Sequence, residues 1–173
     1  MNSAAAQSRT SARPFGQRYA FVVVAVIFLA LDGPVHYAAG PAVDETAQVH
    51  LSPGSLTALA QAAVECRAGL LPREPFIVAW NDATLDPSRV PAGKQQKKLV
   101  VLGVPYDIAG DASGKISART WDEARDAYAE HVIDLVDAKY LPGLRSRVLK
   151  WVARSPVDME RTLPSAVRGT ISH

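Results

Sequence analysis

The chain is short of what most local motifs need. Its single cysteine, Cys66, excludes an internal disulfide framework. There is no C-x-x-C, no G-x-G-x-x-G, no Walker loop and no G-x-S-x-G, so the common redox, dinucleotide, phosphate and acyl-transfer signatures are absent. The longest apolar run, Tyr19 to Leu31, falls short of the about 20 residues that a comfortable transmembrane helix requires. Acids are missing before Asp32. Arg9, Arg13 and Arg18 give the first 31 residues +3, and a whole-chain charge of +2 leaves −1 for the remainder. A slightly acidic body lacks the basic footprint of a nucleic-acid binder, and none is expected as a partner.

What is present is ordinary for a globular protein. A length of 173 residues fits one domain and is enough to bury a core. The stretch that organises the chain runs from Ala68 to Lys98, with four prolines and two glycines around the short apolar run Phe76–Trp80. Such punctuation marks a rigid connection between regular elements. Phe76 to Trp80 has the length and composition of a buried strand, and Leu99 to Val104 can supply its antiparallel neighbour. Between them Asp86-Pro87-Ser88 reads as a turn or one helical turn, with Asp86 accepting a backbone N–H and Pro87 presetting φ. The expected fold class is therefore α+β, a mostly antiparallel sheet covered by helices.

Residues 1–18 are Ala/Ser/Arg-rich at their start and read as a disordered tail. Residues 19–31 are apolar and β-branched, which suits a buried strand; the basic residues ahead of them also suit a signal or membrane anchor. That ambiguity leaves the localisation as cytoplasmic with membrane association through Tyr19 to Leu31 still open. Residues 32–173 form the folded body. Asp32-Gly33-Pro34 is a turn. Ser52-Pro53 reads as a helix opening, followed by Leu56, Leu59, Ala60, Ala63 and Cys66 at helical spacing and a stop at Gly69. Cys66 sits on that stripe as a core thiol. After the loop Ala109 to Ser117, Thr120 and Glu123 form a capping box for the longest helix, whose buried stripe is Ala124, Tyr128, His131, Val132, Leu135 and Val136. Leu141-Pro142-Gly143 ends that helix. Val148 to Val152 can form a third strand, and Ser155-Pro156-Val157-Asp158 opens a short helix with an S-x-x-D box.

Side chains able to do chemistry are scattered. His131 and Asp134, one turn apart, supply too few ligands for a metal, and a half-buried helix histidine accounts for the pair better. Lys94, Lys97 and Lys98 can hold a phosphate but read more simply as a solvated strand edge that blocks mispairing. Trp80, Trp121 and Trp151 can line an apolar pocket or pack the core. His36, His50 and His173 have no convincing partner in the sequence. No catalytic, cofactor-binding or metal-binding residue emerges from motifs.

The run Ala68-Gly69-Leu70-Leu71-Pro72 through Leu85-Asp86-Pro87-Ser88-Arg89-Val90-Pro91-Ala92-Gly93-Lys94 resembles the middle of the phytoene-desaturase-like FAD-dependent oxidoreductases, in the branch named for pyridine nucleotide-disulfide oxidoreductase domain 2. The resemblance continues in Ser155-Pro156-Val157-Asp158-Met159-Glu160-Arg161 and Gly169-Thr170-Ile171-Ser172-His173, and in Leu29-Ala30-Leu31-Asp32. It implies a substrate domain of a two-domain flavoprotein, stopping at His173 before the last flavin-contacting segment and lacking the family's dinucleotide-binding start. The cofactor implied is FAD, which abstracts a hydride from an apolar substrate; this chain alone is not expected to bind it. The FAD-binding parts would come in cis or from a partner. Under this resemblance Phe76, Val78, Trp80, Trp121 and Tyr128 are the candidate walls of the substrate channel, or their supporting core. Alternate strand residues face opposite sides, so not all can look into one cavity. A domain lacking its other half is expected to expose apolar surface and to self-associate. The competing reading is a stand-alone apolar-ligand-binding module, tethered to a membrane or not, without redox activity.

Overall fold

A computed structural model describes residues 23–170. The disordered-tail expectation, the first residues of the Tyr19–Leu31 run and the terminal Ile171-Ser172-His173 lie outside the described residues. The fold is α+β. Five antiparallel strands make one sheet in the order β2–β4–β5–β1–β7. These are β1 (Val24–Leu31), β2 (Gln48–Leu51), β4 (Phe76–Trp80), β5 (Gln95–Leu102) and β7 (Val148–Arg154). The helices are α1 (Pro41–Asp44), α2 (Leu56–Arg67), α3 (Asp82–Leu85), α4 (Trp121–Lys139), α5 (Leu144–Arg147) and α6 (Pro156–Thr162). A two-residue parallel pair, β3 (Leu70–Leu71) with β6 (Gly110–Asp111), sits apart from the main sheet.

The expected hairpin is at the centre. Phe76 pairs with Leu102 and Trp80 with Lys98. The partner strand begins earlier than its apolar run suggests, because Gln95–Lys98 continue the ladder against β1. The ambiguous apolar segment is a strand from Val24 onward. It is bonded to β5 on one side and β7 on the other, so both its edges are inside the sheet, while Phe28 and Ala30 on one face stay exposed. Among the described residues no helix is long and apolar enough to cross a membrane. The third expected strand is β7, two residues longer than its apolar core and closed by Arg154.

Alternation along the strands decides which face is core. Ala25, Ile27, Leu29 and Leu31 of β1, Ile77 and Ala79 of β4, and Leu99 and Val101 of β5 all point one way. They pack under α4, whose Trp121, Ala124, Tyr128, Val132, Ile133 and Val136 are buried. The predicted α4 stripe is right in phase, although His131 and Leu135 lie at its half-buried margin and Ile133 inside it. This face carries the main hydrophobic core.

Local signals held unevenly. Asp86 accepts from the Ser88 N–H at 3.1 Å and opens a short 3-10 turn over Pro87–Arg89. Gly69 takes φ +76° just past α2, and a Cβ there would lie 3.0 Å from that of Ala109. The N-cap of α2 is Ser55, not Ser52: the Ala58 N–H donates to its Oγ at 3.1 Å, and Ser52-Pro53 belong to the approach. Two serines three residues apart offered the same signal, and only one meets the helix axis. Thr120 is the N-cap of α4 but makes no side-chain cap bond; Glu123 instead accepts from the Arg119 N–H at 3.3 Å. The loop after Ile108 is partly ordered by pairing of Gly110–Asp111 with Leu70–Leu71.

The Ser155 box is complete. Ser155 Oγ accepts from the Asp158 N–H at 3.0 Å, and Asp158 Oδ2 accepts from the Ser155 N–H at 2.9 Å. Burial works against the Asp158 carboxylate, but these bonds and Arg125 outweigh it and hold its pKa below the usual range. Replacing Ser155 by Ala should cost about 1–2 kcal/mol, read as a lowered denaturation midpoint with an unchanged slope.

Candidate functional site

The second face of the sheet is where the fold departs from a closed core. It carries Phe76, Val78 and Trp80 of β4, Val100, Leu102 and Lys98 of β5, and Val24, Val26, Phe28 and Ala30 of β1. Lys150, Val152 and Arg154 of β7 continue it opposite Ala30, Phe28 and Val26. On the far side Gln48 and His50 of β2 stand beside Trp80 and Val78, with the His50 ring edge-on to Phe76 at 5.5 Å. Among the described residues, Met159 of α6 packs onto the small cluster of Val24, Val26, Val78 and Val100, together with Phe76, Trp80 and Leu102 of the sheet. Beyond that cover the apolar surface is open: Phe28 is 48% exposed and Val152 47%. Exposed apolar surface on this face is thus present at Phe28 and Val152, beside the buried patch of Val24, Val26, Val78 and Val100.

Two adjoining hollows follow this face. One of about 620 Å³ lies over Val26, Phe28, Val78, Trp80 and Val100, with Lys98 and Arg154 at its rim. The other, about 480 Å³, runs between α2 and the sheet end at Phe76, Leu102 and Gly103, lined on the helix side by Leu56, Leu59, Ala60 and Ala63. Leu102 borders both. The apolar stripe of α2 therefore faces a hollow along much of its length, and Leu56 is 85% exposed.

The five candidate wall residues divide between the two faces. Phe76, Val78 and Trp80 are neighbours on the open face. Trp121 and Tyr128 are in the main core on the other side of the sheet. Trp121 is 3% exposed and its Nε1–H donates to the Pro105 carbonyl at 3.0 Å. The Tyr128 hydroxyl donates to the Pro72 carbonyl at 3.0 Å. Both are satisfied core aromatics. Trp151 is on the core side as well, donating to Glu130 Oε1 at 3.0 Å, so the three tryptophans line no common pocket. The sequence does not single out Val26, Phe28, Val100, Val152, Arg154 or Met159 as wall residues, and it offers Lys98 only as a phosphate holder or strand-edge guard. The period-two run Lys150-Val152-Arg154 was the available signal, and it became legible only once β7 was paired with β1.

The lysines require correction. β5 is an interior strand, so Lys94, Lys97 and Lys98 guard no edge. Lys94 Nζ donates to Asp32 Oδ1 at 2.6 Å. Lys98 lies over the Trp80 ring at 4.7 Å, with Asp82 at 3.8 Å. Lys97 points to the core side, donates to Asn81 Oδ1 at 2.6 Å and sits 4.7 Å above the Tyr37 ring. Burial draws its ammonium down to about 8, against the pull of Asp44. His36, which has no evident partner in the sequence, meets Asp44 Oδ2 at 2.9 Å. His131 is half-buried, 2.8 Å from the Arg73 carbonyl and stacked on Tyr128, while Asp134 lies near Arg145. Among the described residues no group of three metal-ligating side chains converges. Cys66 is buried, and burial pushes its thiol up to about 11, as a core role requires.

A second polar cluster ties the end of the described chain to the body. Glu160 accepts from the Tyr106 hydroxyl and, at 2.9 Å, from the Arg168 N–H, and Arg168 pairs with Asp107 and covers the Tyr106 ring at 4.5 Å. Arg168 takes φ 54°, and the Cβ of any larger residue at Gly169 would fall 2.4 Å from that of Pro156. The function of this cluster is structural: it holds Thr170 beside Val23.

A pyrophosphate clamp needs a parallel strand running through a glycine-rich turn into a helix N-terminus. Among the described residues the main sheet is wholly antiparallel, and the parallel β3–β6 pair leads into no such helix. These residues do not fit the phosphates of FAD, and no redox step is assigned to them. What they can do is bury an extended apolar molecule along the hollows of this face. No protein-family model matches the chain, and no curated protein matches it significantly.

Proposed function

We propose that the chain is the substrate-binding domain of an FAD-dependent oxidoreductase of the phytoene-desaturase-like kind, the flavin-binding parts being supplied in cis or by a partner. The observation that carries this reading is the two-sided sheet. One face is a finished core under α4, and the other is an apolar wall of Phe76, Val78, Val100, Val26 and Phe28 with α2 along one border. A wall of this kind excludes water and positions an apolar substrate, which is the protein's share of flavin chemistry. The flavin, when bound, supplies hydride acceptance. Segments resembling the family include parts of β1 and α6 and span β4, elements that contribute residues to that wall.

The test is expression of the chain with and without the reading frames that flank its coding DNA. The extended preparation is expected to retain stoichiometric flavin and to lose the oxidised flavin absorbance when an apolar substrate is added without oxygen; the chain by itself is expected to retain none. Stoichiometric flavin on the chain alone would overturn this assignment of parts. Flanking frames that confer neither flavin nor bleaching would overturn the redox role and leave an apolar-ligand module.

A further inference from the structure

The open face is not only apolar; it is cationic and contains no acid. The five strands of the sheet hold no Asp or Glu, and their charged residues are Lys97, Lys98, Lys150 and Arg154. Lys97 faces the core side, which leaves three cations on the open face. They are grouped around one exposed aromatic ring. Phe28 has Lys98 directly opposite on β5 and Val152 directly opposite on β7. Lys150 and Arg154 flank Val152 two residues away on the same side, so both are diagonal neighbours of Phe28, about 7–8 Å off between strands. Lys150 and Arg154 are exposed and have no ion-pair partner among the described residues; Lys98 has only Asp82 at 3.8 Å. The opposite end of the face, at Phe76, Leu102 and the α2 stripe, carries no charge.

We infer that this face binds a single-chain amphiphilic carboxylate, its tail in the hollow between α2 and Leu102 and its carboxylate over Phe28 among Lys98, Lys150 and Arg154. The inference deepens the reading of this face as a substrate wall and rests on it. Charge complementarity selects this occupant. A second copy stacked face to face would bring these cations no carboxylate, because the strands of the sheet hold no acid. Residues 1–22 of this chain carry three arginines and no acid, and so hold no charge complementary to the rim. The two hollows share Leu102 in their lining, which gives one apolar chain a path from the α2 side to the cations.

The test is calorimetric titration of the full chain with decanoate and with decan-1-ol, which share a tail and differ in charge. Decanoate is expected to bind at least about tenfold more tightly, and raised salt should narrow the gap. The double variant Lys150→Gln/Arg154→Gln should lose that preference while keeping its affinity for the alcohol, which also shows that its fold is intact. Equal binding of the two ligands overturns the carboxylate and leaves the apolar wall standing. Binding of neither overturns the inference, while flavin bleaching still decides the wall's role. Binding to phosphatidylserine vesicles without binding of decanoate overturns it in favour of a membrane surface.

Discussion

Trp121→Ala should destabilise the protein by about 3–5 kcal/mol, the range for removing a large buried aromatic, whereas Trp80→Ala should cost about 1 kcal/mol. Both tryptophans are candidate wall residues in the sequence, and the sheet assigns them opposite tasks. Trp121 is 3% exposed, edge-on to Tyr128 at 6.1 Å, and its indole N–H satisfies the Pro105 carbonyl. Truncation leaves a cavity in the main core and orphans that carbonyl, two costs that add. Trp80 is half-buried on the open face, with Lys98 above its ring and Gln48 beside it. Its truncation opens a region already open. The effect should appear instead as about tenfold weaker binding of an apolar chain. Denaturant titration and calorimetry on the two variants separate the tasks: loss of stability in Trp80→Ala equal to that in Trp121→Ala would mean that the second face is covered in solution.

The same division explains what could be read from the sequence. Phe76–Trp80 and Val24–Leu31 announce strands because they are apolar at every position, but that very uniformity hides which face is which. A strand with one wet face alternates and declares its orientation. Here Val78 and Ile77 look alike, although one lines the open hollow and the other the core. The fold class, the hairpin, the Ser155 box and the phase of α4 were therefore legible from local pattern. The site was not, because it is made by register: Phe28 against Lys98 on one side and Val152 on the other. The four-residue strand Gln48–Leu51 escaped notice for a related reason, since it is an edge strand of mixed polarity with little apolar signal of its own. The lysines misled because Gln95–Lys98 look like a polar flank, whereas the ladder runs through them into the middle of the sheet.

Lys97 gives the largest pH effect. Its ammonium ends among Asn81 Oδ1, the face of Tyr37 and the field of Asp44, and the same asparagine accepts from the Tyr37 hydroxyl at 3.2 Å and donates to the Thr46 carbonyl at 2.8 Å. This cluster pins the chain between β1 and β2 to the sheet, but burial disfavours the charge and lowers the lysine from 10.5 to about 8. Below pH 8 both folded and unfolded chains hold the proton, and the folded state bears the whole penalty. Between about 8 and 10.5 the unfolded chain still holds a proton that the folded chain has released, so stability rises with pH across that interval. Solvent reaches part of the side chain, which limits the gain to about 2–3 kcal/mol. Other groups oppose it: burial raises Tyr37, Tyr128 and Tyr140, and raises Cys66 to about 11, so each loses stability as the unfolded chain ionises first. The comparison that isolates Lys97 is therefore wild type against Lys97→Met, in which those contributions cancel. Lys97→Met should be the more stable protein at pH 7, with Tyr37 still donating to Asn81, and its advantage should vanish by about pH 10. An advantage that does not change between pH 7 and 10 would mean that Lys97 keeps its proton throughout, held by Asp44 more strongly than burial weakens it.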